Sequence, residues 1–162
     1  ILNAKYEVIT IGVTTDQVHS SEGLLCQPHM KIEDVKLESD DVVIIPGGDP
    51  AGLLNHEIVY DFIRQADDLS ITIGAICFAP LHLAKAGILA DREYTTSLDP
   101  KEYSEFNPDM YVHDNVVVDE HIITAKPSGY VDFGIVLGQQ LNIFEDQEDF
   151  EETVNFFREF QF

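Results

Sequence analysis

Cys77 stands where an apolar run stops and a helical pattern begins, in the stretch GAICFAPLHLAKAGIL (Gly74–Leu89). A nucleophile on a turn between a strand and a helix gains two things. Its side chain is exposed at the sheet edge, and backbone N–H groups of the turn can hold an oxyanion. The N-terminus of the following helix adds positive partial charge, which favours a thiolate. Gly74, Ala75 and Ala79 are small enough for a tight turn. Free cysteine is also among the most often buried residue types. Spacing alone therefore leaves Cys77 as either a reactive thiol or a small apolar core residue. Cys26 has no comparable setting and reads as structural.

A second motif, PGGDPAG (Pro46–Gly52), is a backbone-donor loop in which Gly47 and Gly48 can turn N–H groups into a crevice, or form a plain turn. No Lys-Ser/Thr pair follows it and no GxGxxG occurs, so a nucleotide role is not expected. The six histidines show no metal-ligand spacing and there is no HExxH, so neither metal nor cofactor is expected. His82 lies five residues past Cys77, more than one helical turn along. His113 lies in a segment that can return to the crevice and is the better general-base candidate.

These residues need elements to position them. Asp41–Pro46 (DVVIIP) is continuously apolar, as in a parallel strand buried on both faces, and Ile71–Ile76 reads the same way. The pattern also predicts strands over Lys5–Ile11 and Glu93–Thr96. It predicts a short hairpin or irregular extended segment over Leu24–Gln27 and Met30–Val35, and a hairpin of Tyr111–Val118 with His121–Ala125 turning at Asp119-Glu120. Helices are expected over His56–Leu69, Pro80–Ala86 with Gly87 as C-cap, Ser128–Leu141 with Ser128 as N-cap, and Phe144–Phe162. In the last, Phe150, Val154, Phe157 and Phe160 are expected to pack on the body. Asp99–Phe106 reads as a loop or a single turn started by Asp99-Pro100. Strands alternating with helices argue for an α/β sandwich with a largely parallel sheet, whose active crevice lies at the carboxyl ends of the strands.

A chain of 162 residues, with 44% hydrophobic and 24% charged residues, suits one soluble domain. The formal net charge of −21 repels phosphate backbones and anionic membranes, so neither nucleic acid nor membrane is an expected partner. The longest apolar stretches are too short to span a bilayer, and no export signal opens the sequence. A cytoplasmic location with two free thiols is the expectation.

With these residues in hand, the chain resembles the DJ-1/PfpI superfamily. The matching stretches are DVVIIPGGDPAGLL (Asp41–Leu54), Gly74–Leu89, YTTSLDP (Tyr94–Pro100), NVVVDEHIITAKPSG (Asn115–Gly129) and DFGIVLGQQL (Asp132–Leu141), in the family's order and spacing. The resemblance implies a flavodoxin-like three-layer sandwich, similar to class I glutamine amidotransferases, in a homodimer or higher homo-oligomer. It matches Cys77 to the family's elbow cysteine, and the N–H groups of Gly48 and Phe78 to its oxyanion donors. Proteolytic and amidase-like members carry histidine directly after the cysteine, where this chain has Phe78. DJ-1-like members place a histidine near the position of Asp109, with His113 a few residues on. Ile1–Gly12 resembles the family's second strand, so the first strand, first helix and glutamate-bearing loop are expected to be lacking. The resemblance implies a cysteine-dependent enzyme acting on reactive carbonyls, small or carried on protein adducts, in the manner of glyoxalase III or deglycase-like members, or a related small-molecule hydrolase. His113 or Asp109 would move protons. The alternatives are a stress or redox sensor whose cysteine is oxidised, an intracellular peptidase-like or amidase-like member, and an inactive scaffold.

Overall fold

Short apolar runs between turn residues form the strands, and apolar residues at helical spacing form the helices. The structure, a computed structural model, describes residues 5–20 and 23–161. Four two-residue strands come first: β1 (Ile11–Gly12), β2 (Val18–His19), β3 (Leu25–Cys26) and β4 (Met30–Lys31). Then follow β5 (Val42–Ile45), α1 (Glu57–Asp68), β6 (Thr72–Ile76), α2 (Pro80–Ala86), β7 (Val116–Asp119), β8 (Ile122–Ala125), α3 (Tyr130–Gln140) and α4 (Gln147–Arg158).

The main sheet has the order β5-β6-β8-β7. β5, β6 and β8 are parallel, and β7 closes one edge antiparallel to β8. Strand side chains alternate between the two faces. Ile73, Ala75 and Ile122 belong to the core with Val59, Ile63 and Ala66 of α1 and Leu81 and Leu83 of α2. On the other face, Ile123 and Ala125 pack with Phe133 and Leu137 of α3. The result is a helix–sheet–helix sandwich with a mostly parallel sheet, as the alternating pattern predicts. His56 and Leu69 flank α1 as its caps, and Gly87 ends α2 at φ +85°.

Several expectations need correction. Of Lys5–Ile11, only Ile11 is in strand, and β1 pairs in parallel with β4 apart from the main sheet. Glu93–Thr96 contributes only a bridge between Tyr94 and Tyr111, because its hydrogen bonds go to loops and side chains instead of a ladder. Ser128 does not cap α3. Its hydroxyl donates to Asn115 Oδ1, and a tight turn over Pro127–Gly129 leads into the helix. α4 is shorter than expected and is capped by Asp146, which accepts from the Asp149 N–H. Phe150 meets Phe144 edge-on, but Phe157 and Phe160 are 44% and 75% exposed. Ile1–Ala4 and Phe162 lie outside the described residues.

Candidate active site

Parallel pairing puts the carboxyl ends of β5, β6 and β8 on one edge of the sheet, and the antiparallel β7 begins there. Gly47-Gly48 follows β5, Cys77 follows β6, Lys126 follows β8, and His113–Asn115 precede β7. Residues distant in sequence thus meet at one edge.

Cys77 is half-buried and sits at φ +69°, in the left-handed region that costs a side-chain-bearing residue about 1–2 kcal/mol. Three hydrogen bonds hold it there. Its N–H donates to the Ala125 carbonyl at 2.8 Å. Its own carbonyl accepts from Thr96 Oγ1 at 3.0 Å and from the Ser97 N–H at 3.1 Å. The glycine loop lies directly against it: a Cβ on Gly47 would come within 2.7 Å of Cys77 Cβ and 3.4 Å of its Sγ. The N–H groups of Gly48 and Phe78 have no hydrogen-bond partner among the described residues. The turn thus has the strained form expected of an elbow that presents a side chain at a strand end. Cys77 and the exposed Cys26 are both free thiols.

An open cleft of about 580 Å³ adjoins the elbow through Thr96 and Ser97, although Cys77, Phe78, Gly47 and Gly48 are not in its lining. Thr96 and Ser97, which grip the Cys77 carbonyl, form part of its wall, and Tyr111, His113, Asn115 and Lys126 form another part. Tyr111 is the platform. Lys126 Nζ lies 5.5 Å from its ring centroid, and His113 meets it edge-on with Nδ1 3.4 Å from the Tyr111 hydroxyl. Tyr94 packs against Tyr111 from the core and stacks on Phe106 at 5.0 Å. Burial, with Tyr111 adding to it, pushes the Tyr94 phenol up to about 12.

Of the two proton carriers considered from sequence, His113 lines this cleft. Asp109 sits in the exposed turn Pro108–Met110, where its N–H donates to Asn107 Oδ1, and it is not part of the lining. His82 is 3% exposed, stacks on Tyr60 of α1, and has no partner for Nδ1 among the described residues. Burial and then the Lys85 charge hold its imidazole below the ordinary histidine value. Sequence reading did not single out Lys126, Tyr111, Asn115, Thr96 or Ser97. The available signal was positional: Lys126 directly follows the strand-forming stretch HIITA at a strand's carboxyl end.

The family model of the DJ-1/PfpI family matches residues 1–137. The chain belongs to the DJ-1/PfpI family. Among curated members it is 30% identical over 148 residues to YoaZ of Bacillus subtilis (strain 168), named an uncharacterized protease, covering 87% of this chain and 69% of that protein. It is 31% identical over 124 residues to the Caenorhabditis elegans protein named glutathione-independent glyoxalase DJR-1.2, covering 76% of this chain and 66% of that one. The chain therefore spans about two thirds of the length of these relatives. The crystal structure of a thiJ/pfpI family protein from Bacillus anthracis superposes with a TM-score of 0.82 at 24% identity, covering 93% of this chain and 73% of that one. This likeness establishes the family fold for the sandwich described above.

Proposed function

We propose that the chain carries a cysteine nucleophile for small reactive carbonyl compounds, with Cys77 as the attacking thiolate. The observation that carries this reading is the left-handed backbone of Cys77, held by Ala125, Thr96 and Ser97 at a strand end. Strain of this kind persists only where the surroundings over-determine it, and it gathers at functional sites. The relative named a glyoxalase supports the substrate class. In this reading the thiolate adds to the aldehyde carbon of a 2-oxoaldehyde. A C–S bond forms, and the carbonyl π pair moves to oxygen, where the Gly48 and Phe78 N–H groups would stabilise it. His113 would take the proton from the resulting hemithioacetal carbon and return it to the neighbouring carbon. Water would then cleave the thioester, releasing a 2-hydroxy acid and restoring the thiol. His113 is preferred to Asp109 because it lines the cleft.

The test is turnover of methylglyoxal to lactate by the chain and by Cys77→Ser and His113→Gln. Loss in Cys77→Ser and a changed pH profile in His113→Gln are expected. Unaltered turnover in Cys77→Ser would refute the reading. A second reading, reversible oxidation of Cys77 without turnover, is favoured by Phe78 standing directly after the cysteine. It predicts peroxide-dependent sulfenic acid at Cys77 in a chain inert toward methylglyoxal.

A further inference from the structure

We infer that Lys126 makes the cleft beside Cys77 a site for a single carboxylate, so that the favoured carbonyl compound is a 2-oxoaldehyde that also bears a carboxylate. The inference rests on the reading of Cys77 as the nucleophile. Thirty Asp and Glu face only nine Lys and Arg in this chain, so cations have acids to pair with. Lys31, Arg64, Lys85, Arg92 and Arg158 all form ion pairs. Lys126 is half-buried and has no carboxylate partner among the described residues. A partly desolvated ammonium without a counter-charge is costly, which marks a position kept for an incoming anion.

The surroundings suit that anion. The face of Tyr111 steers the ammonium without neutralising it. Asn115 Oδ1 accepts from the Ser128 hydroxyl, which leaves the Asn115 amide nitrogen to donate. The Ser97 hydroxyl has no partner among the described residues and lines the same cleft. Asp99 is the one carboxylate in the lining, and its Oδ1 is bonded to the Lys101 N–H at the start of a turn. With Lys126 and Asp99 in the lining, a bound carboxylate leaves one uncompensated charge and a phosphate dianion two, so in a chain of net charge −21 the carboxylate is favoured.

The experiment compares alkylation of Cys77 by iodoacetate and by iodoacetamide. Both reagents form the same C–S bond and release iodide, and only the first is an anion. The iodoacetate-to-iodoacetamide rate ratio at Cys77 is expected to exceed the ratio at Cys26 in the same molecule. It should fall in Lys126→Met toward the ratio at Cys26, as loss of a nearby positive charge predicts, and be retained in Lys126→Arg. Pyruvate should slow iodoacetamide labelling of Cys77 in the parent chain more than equimolar inorganic phosphate does. An equal ratio in the parent and Lys126→Met, or equal protection by phosphate, would overturn the carboxylate site while leaving the nucleophile standing. A Cys77 inert to both reagents would overturn the nucleophile reading, and this inference with it. Circular dichroism of the two variants separates these outcomes from misfolding.

Discussion

Replacing Gly47 by alanine tests the packing of the elbow. The added Cβ would lie 2.7 Å from Cys77 Cβ, against an ordinary carbon–carbon separation of about 3.5–4.0 Å. Cys77 cannot swing away, because its N–H and carbonyl are tied to Ala125, Thr96 and Ser97. The strand-end loop must shift instead, at an overpacking cost of about 1–3 kcal/mol. At a slope of about 2 kcal/mol per molar urea, a 2 kcal/mol loss lowers the unfolding midpoint by about 1 M. Cys77→Gly removes the atom that collides and also relieves the left-handed backbone. The Gly47→Ala/Cys77→Gly pair should therefore recover most of the loss, with a coupling of about 1–3 kcal/mol in a double-mutant cycle. Gly47→Ala/Cys77→Ala keeps the offending Cβ and should recover nothing. Urea denaturation of these four variants, of Cys77→Ala and of the parent decides it. Additive effects in the glycine cycle would refute the close approach of loop and elbow.

Three further perturbations follow from the structure. His82 is held neutral in the fold, below the ordinary value of 6.5, first by burial and then by Lys85. The unfolded chain takes up a proton that the buried ring refuses, so this part of stability is complete above 6.5 and is lost as pH falls through it. His82→Phe should flatten the decline in urea midpoint between about pH 7 and about pH 5. Tyr94 is raised to about 12 from the ordinary 10.0, so its contribution is present below pH 10.0 and lost as pH rises toward 12. Its hydroxyl donates to the Asn107 carbonyl at 3.1 Å. An ultraviolet phenol titration should lose its latest step in Tyr94→Phe. Asp146→Ala removes the cap on α4 and should cost about 1 kcal/mol of stability, read from the thermal midpoint.

The elements that carry the elbow were legible because local and tertiary signals agree there. β5, β6 and β8 are apolar runs bounded by turn residues, and α1 shows its buried stripe at Val59, Ile63 and Ala66. Cys77 was legible as an elbow candidate because Pro80 opens a helix three residues after it. The cleft was not. Thr96, Tyr111, Asn115 and Lys126 come from separate segments, brought together by the β7–β8 pairing, the Tyr94–Tyr111 bridge and the bond from Thr96 Oγ1 to the Cys77 carbonyl. Lys5–Ile11 alternates like a strand, yet alternation does not encode a partner, and only Ile11 finds one in Met30. In α4 the helical period was real, but periodicity cannot say how far a helix extends over the body. Phe150 reaches Phe144, whereas Phe160 remains in solvent.

The proposed role of Cys77 as a nucleophile set up by its elbow is tested by competitive labelling of the native chain with limiting iodoacetamide, followed by peptide mass analysis of Cys77 and Cys26. The two thiols share one sample, and Cys26 is the more exposed. Half-buried Cys77 is expected to be labelled first, and the preference to disappear when the chain is unfolded in urea. Faster labelling of Cys26, or a Cys77 rate unchanged by unfolding, would contradict that role.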